Sequence, residues 1–368
     1  MRGKIHCDKN AIYFFRNSSV GGEIENFAVL HSSIVWPSPG AFNFSENLKA
    51  LYLQKVIVSE ANRKGLLKTL FNFTHTVPKL EISDCDLGRL NYSLVRGDFV
   101  FANISNNEWT LSEGKALDIS GFSVNMKDNR ITLPESGSGD IKMRIRANGS
   151  LTLQNNRIEF SEEEARTMFE VIEIKFSDFI NFVKISRSNL GRIKSNFMSG
   201  IELRENLEIS ESSMKLDGEH VLNITARKFI FSQNHVEALI TEALDVSLSE
   251  EATITDNIFE HLQSQSLRNI KPKTQMSKLE FLNNSFQAFE RGFLEVHPDW
   301  DNSEMLALDK INLRVPCDCN LIQIASSRET RTQTENKLIK SSFCNGDTSS
   351  GNFILHFIIF IFQRKFET

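Results

Sequence analysis

One pattern constrains the fold of this chain more than any other: apolar-x-apolar-x-x-Asn-x-apolar, recurring in order along most of its length. It occurs strictly around Asn107 (Ala102, Ile104, Trp109), Asn129 (Val124, Met126, Ile131) and Asn156 (Leu151, Leu153, Ile158). It returns around Asn234 (Phe229, Phe231, Val236), Asn257 (Ala252, Ile254, Phe259) and Asn284 (Leu279, Phe281, Phe286). Asn196 heads a further copy with Gly191 in the first slot. The chain carries 32 Asn and 40% apolar residues, so about two strict matches would arise by chance. Looser copies keep the apolar frame around Ser32, Val56, Cys85, Ser177 and Ser212. From Ser32 to Asn284 the markers average about 23 residues apart, a solenoid period.

The spacing has a direct physical reading. Apolar residues two apart point to one side of a strand and into a core. The Asn three residues on sits in the turn that ends the strand. Stacked turns let each amide bond the backbone of the next coil, satisfying groups that burial would otherwise orphan. A second apolar pair precedes several copies: Leu117 and Ile119, Met143 and Ile145, Val183 and Ile185, Leu222 and Ile224, Leu244 and Val246. Strand, bend, strand, Asn turn predicts a mainly β fold, a single-stranded right-handed parallel β-helix solenoid with Asn turns. Short helices are expected from the capping box at Ser161–Glu164 to about Phe169, and over 62–71.

A leucine-rich-repeat horseshoe is the alternative. Met276, Leu279, Phe281, Asn284, Phe286 and Phe289 fit its frame, as do Val77, Leu80, Ile82, Cys85, Leu87 and Leu90 with Cys in the Asn slot. Cys317-Asp318-Cys319-Asn320-Leu321 with Cys344 resembles a leucine-rich-repeat C-terminal cap, without its usual tryptophan and fourth cysteine. Over about 24–345 the chain resembles arthropod-type secreted or membrane-anchored solenoids that mix both features.

The expected organisation is an N-terminal cap or truncated leader over 1–23 and a solenoid of about 12 coils over 24–315. A cysteine-containing cap follows over 316–345, then an apolar tail over 346–368. The ten residues Phe353–Phe362 are too short a run to cross a bilayer, which takes roughly 20, so the tail is read as disordered or as a truncated anchor.

The first residues lack the apolar run of a secretory signal. Eight Asn-x-Ser/Thr sequons nonetheless occur, at Asn17, Asn43, Asn72, Asn91, Asn103, Asn148, Asn223 and Asn283. With Cys317, Cys319 and Cys344 as a disulfide-pinned cap, they point to an oxidising, extracellular or cell-surface setting. Zinc is the competing use of those cysteines, but Cys-x-Cys with one distant Cys and no well-placed His is poor zinc spacing. No cofactor is expected.

Net charge is −5, with 42 basic and 47 acidic residues well mixed, which excludes a general nucleic-acid binder. Arg192-Ile193-Lys194 matches an element of pectin hydrolases, yet their carboxylate motifs are missing. His-Glu-x-x-His, Gly-x-Ser-x-Gly and phosphate-loop patterns are also absent. The expectation is a non-catalytic recognition or adhesion protein, with a protein or glycan ligand and membrane anchoring through the C-terminal segment. The alternative is a β-helix polysaccharide lyase or hydrolase with a non-standard site.

Overall fold

The computed structural model describes residues 3–8, 11–13, 24–35, 46–59, 69–90, 93–111, 116–133, 143–160, 172–290, 292–293, 295–300, 305–316, 342–345 and 352–354. It is a mainly β structure, a parallel β-solenoid. The chain forms two compact units: Met1–Ile180 with Arg187–Asn189, and Asn181–Ser186 with Leu190–Thr368.

In the first unit the apolar slots of the repeat stack in register. Leu80, Ala102, Val124 and Leu151 form one row, and Ile82, Ile104, Met126 and Leu153 the next, all buried. Each fully buried aliphatic side chain contributes about 1.5–3 kcal/mol by leaving water, and parallel neighbours on both sides exclude water along the whole row. The second unit repeats this with Leu207, Phe229, Ala252, Leu279 and Leu306, and with Ile209, Phe231, Ile254 and Phe281.

The expected earlier strand joins the later one as a single long strand with a bend. Leu117–Lys127 and Met143–Gln154 pair along their length, but the register shifts between Gly121 and Ser123. Two residues of one coil, Asn148 and Gly149, stand there opposite Phe122 alone, a β-bulge that turns the strand. Before it lie the rows Leu117–Met143–Ile172 and Ile119–Ile145–Ile174. The second unit bends between Ala226 and Lys228.

After the long strand comes a sharp corner with a residue at positive φ. In the first unit these are His31, Lys55, Asp84, Asn106, Asp128, Asn155 and Arg187; in the second, Glu211, Gln233, Asp256, Asn283 and Lys310. The next residue enters the interior, and a short strand follows, as in Glu108–Leu111, Arg130–Leu133, His235–Leu239 and Ile258–Leu262. No leucine-rich-repeat horseshoe forms, because the second side of each coil is strand. No α-helix occurs among the described residues. The expected helix from Ser161 lies outside them; of the expected helix over 62–71, Phe71 is in the strand Phe71–Asn72 and 62–68 lie outside.

Two repeat assignments differ from expectation. Ile172 and Ile174 pair with Met143 and Ile145, so this segment is the half-strand before the bend and Ser177 sits at the bend, not at a corner. Val183 and Ile185 pair with Leu207 and Ile209, which makes them the half-strand leading into a corner, and Ser188 is the buried residue of that corner. The markers 177 and 196 are thus replaced by 188. This removes the cramped step from Asn196 to Ser212.

The coil architecture also reaches the expected N-terminal cap. Gly3–Asp8 runs parallel to Ile24–Leu30, with Ile5 opposite Phe27 and Cys7 opposite Val29, and Ala11–Tyr13 runs beside Ser33–Val35. Near the other terminus Ser342–Asn345 lies parallel to Ile311–Pro316, and Asn352–Ile354 adds an antiparallel strand. Part of the apolar tail is therefore strand.

Candidate functional site

The corner asparagines form two hydrogen-bonded ladders, one in each unit. In the first, Asn107, Asn129 and Asn156 are all buried. The Asn129 amide donates to Ile104 O at 2.9 Å and to Asn156 Oδ1 at 2.9 Å. Its own Oδ1 accepts from the Asn107 backbone N–H at 3.2 Å and from Asn107 Nδ2 at 3.0 Å. Every hydrogen-bonding position of that amide is filled. Cys85 continues the ladder: its N–H donates to Asn107 Oδ1 at 3.0 Å and its thiol reaches Leu53 O at 3.4 Å and Ser83 O at 3.2 Å. Burial pushes the Cys85 thiol up to about 11. In the second unit Asn234, Asn257 and Asn284 are buried, and their amides donate to Ile209 O, Phe231 O and Ile254 O, each at 2.8 Å.

Asn196 stands elsewhere. It is exposed, at φ 59, at the corner between a short strand and the next long one. There it belongs to a second left-handed series with His220, Glu242, Gln265 and Gly292. Backbone bonds link successive members: Asn196 N–H to His220 O at 3.1 Å, His220 N–H to Glu242 O at 2.9 Å, and Gln265 N–H to Gly292 O at 3.1 Å. Its sequence frame matches by spacing alone: here the Asn itself holds the left-handed corner, whereas in the ladders the residue before the buried Asn does.

Among the other expected site residues, Cys344 lies in the strand Ser342–Asn345 opposite Leu313, while Cys317 and Cys319 lie outside the described residues. Of the sequon asparagines, Asn72, Asn148 and Asn283 are exposed and Asn103 and Asn223 half-buried; Asn17, Asn43 and Asn91 lie outside. The Asn283 amide donates to Asp256.

Outward positions of neighbouring coils carry opposite charges in register. Arg96 pairs with Asp118, Arg144 with Glu173, Lys184 with Glu208, Lys228 with Glu251, and Lys271 with Asp245. Arg192, from the Arg-Ile-Lys segment, bonds Asp217 at 2.8 Å, which Lys215 also approaches at 3.3 Å. Exposed pairs of this kind each contribute at most about 1 kcal/mol. Their larger effect is to make the faces locally neutral. Among the described residues no group of three or more His, Cys, Asp or Glu is placed to hold a metal ion. No helix among them is long and apolar enough to cross a membrane.

The second unit also contains a groove of about 370 Å³ lined by Pro272, Lys273, Thr274, Gln275, Ser277, Asp299 and Trp300. Its parts are fixed from below. The Trp300 indole N–H donates to Ile270 O at 2.8 Å, and Ser277 Oγ donates to Leu248 O at 2.8 Å while lying 3.0 Å from Thr274 Oγ1. Lys273, Gln275 and Asp299 are exposed at its rim. The groove is polar, with hydroxyls of Thr274 and Ser277 and exposed charged and amide side chains set around the edge of the buried Trp300, and its volume lies at the low end of ordinary ligand sites. Its single carboxylate, Asp299, does not form the pair that glycoside hydrolysis requires. Sequence reasoning missed this groove, because its residues carry no motif and meet only through the winding of the chain.

No family model matches the chain, and neither the curated proteins nor the solved structures yield a match.

Proposed function

We propose that the chain is a non-catalytic recognition or adhesion protein of the extracellular space or cell surface, binding a protein or glycan ligand. The observation that carries this reading is the groove at Trp300, whose floor and walls are held by buried hydrogen bonds beside a face of neutralised charge. Coils bonded to both neighbours make a stiff scaffold, and a preorganised site loses less entropy on binding. The eight sequons support the compartment. The kinship with arthropod-type solenoids, the Cys317–Cys319–Cys344 cap and membrane anchoring through the C-terminal apolar segment belong to the same reading.

The full chain, sent through the secretory pathway of cultured cells behind an added leader, tests it in two ways. Cys317 and Cys319 are expected to resist alkylation until reduced, and free thiols at both would refute the cap. On an array of immobilised glycans and extracellular protein domains, the chain is expected to bind a defined subset, with at least tenfold loss in Lys273→Ala and Asp299→Ala. Binding unchanged in both variants would remove the groove from the function.

A further inference from the structure

Large apolar side chains exposed among the described residues include Phe101 at 56%, Phe122 at 51% and Phe179 at 57%. Phe101 and Phe122 belong to adjacent long strands of the first unit, and each has a sequon asparagine as its neighbour. Phe101 and Asn103 are two residues apart and share one face of one strand. Phe122 stands opposite the bulge formed by Asn148 and Gly149 in the next coil. A Cβ on Gly149 would lie 2.7 and 2.8 Å from Phe122 Cε2 and Cδ2, so one edge of the ring rests on the glycine backbone. About half of the phenylalanine remains bare, beside an exposed Asn148 in the sequence Asn148-Gly149-Ser150.

We propose that Asn148 is an N-glycosylation site whose first saccharide packs on Phe122; this rests on the secretory reading above. In the modification, the Asn148 side-chain nitrogen attacks C1 of a lipid-pyrophosphate-linked oligosaccharide. A C–N bond forms, the C1–O bond to pyrophosphate breaks, and one amide proton is lost as the lipid pyrophosphate departs. The remaining Nδ2–H keeps its bond to Ser120 Oγ, now 3.0 Å long, and so holds the direction in which the saccharide leaves the surface. Pyranose C–H faces are apolar and match the ring of Phe122, while the saccharide hydroxyls stay in water. Packing of this kind covers an aromatic surface that the solenoid itself leaves open. Asn223 supplies a contrast, since its register neighbours are Ser199 and Asp245 and no aromatic residue flanks it.

The experiment uses the full chain secreted from cultured cells and enzymatically trimmed to one N-acetylglucosamine per modified sequon. Glycopeptide mass spectrometry is expected to find Asn148 occupied. The trimmed protein should melt about 2 °C above Asn148→Gln, and that difference should vanish in a Phe122→Ser background. Upfield ring-current shifts of the Asn148 saccharide protons in the unsubstituted protein give a readout that does not depend on any variant folding. Asn148 unmodified while other sequons are modified would overturn the proposal, as would unshifted saccharide protons or a melting difference that survives Phe122→Ser. Modification of no sequon at all would instead overturn the secretory reading, and this inference with it.

Discussion

A buried primary amide has four hydrogen-bonding positions, and Asn129 fills all four with groups from the coils on either side. Truncating it would leave the Asn107 N–H and Ile104 O without those partners. Asn129→Ala is therefore expected to destabilise the protein by about 3 kcal/mol, since each orphaned buried group costs about 1–3 kcal/mol. Asn196→Ala should cost only about 1 kcal/mol, because alanine lacks the short polar side chain that lets asparagine tolerate the left-handed region at this exposed corner. Chemical denaturation of the two variants checks the contrast, and equal effects would count against an energetic role for the ladder. Cys85 supplies a pH test. Its folded pKa is raised above the ordinary thiol value of 9.0 to about 11. The folded chain thus holds this proton more tightly than the unfolded one. The associated stability is complete below pH about 9 and is lost as pH rises toward about 11. Cys85→Asn should remove that alkaline loss and raise stability at pH 7 by about 1 kcal/mol, because an amide can bond Leu53 O and Asn107 Oδ1 together.

At the scale of the element, the short strands turn on glycine where coils come closest. Gly88 lies within Asp86–Leu90 at φ +44, and a Cβ there would stand 2.3 Å from Val58 O. The pairing of Asp86–Leu90 with Glu108–Leu111 shifts register beside it. Gly88→Ala meets both a left-handed backbone conformation that L side chains rarely adopt and the backbone carbonyl of Val58. It should cost about 3 kcal/mol, more than Gly200→Ala, which shares the left-handed strain at φ +70 but whose Cβ would touch nothing within 4 Å. Thermal melts of both variants decide it. The elements also show where strand patterns are ambiguous. Val183-x-Ile185-x-x-Ser188-x-Leu190 fits the repeat frame, yet the flanking copies at Ser177 and Asn196 fit it as well. A period-two pair identifies a strand without saying which turn it feeds. Only pairing with Leu207 and Ile209 assigns Val183 and Ile185 to the half-strand before a corner. At the N-terminus, Ile5-x-Cys7-x-x-Asn10-x-Ile12 is a full copy of the repeat, legible once cysteine is counted as apolar.

Over the whole molecule, stacking makes stability a nearest-neighbour property. A lesion at one rung should loosen the adjoining coils first. In hydrogen exchange, Asn129→Ala is expected to speed amide exchange in Val95–Ser105 and Met143–Gln154 while leaving Leu244–Thr255 at its original rate. Uniform acceleration throughout the chain would show that it opens as one cooperative body. The interior of the second unit adds aromatic stacking to this coupling: Phe259 and Phe286 lie 5.2 Å apart and nearly parallel, and Phe286 meets Phe293 at 5.3 Å. Such pairs contribute about 0.5–1.5 kcal/mol beyond area burial.

The linear chain by itself determined that strands would stack in coils of roughly constant length with amides at their corners. That follows because inward apolar pairs and a fixed offset to Asn are local properties, set by the two-residue strand period and by the need to satisfy a buried turn. The tertiary structure decided which serine closes the coil after Asn156, that the long strands bend at bulges, and that Lys273, Thr274, Asp299 and Trp300 meet around one groove. Those outcomes depend on the register between coils and on loops of unequal length. Register is settled by the sum of contacts along a whole row, which no single segment encodes.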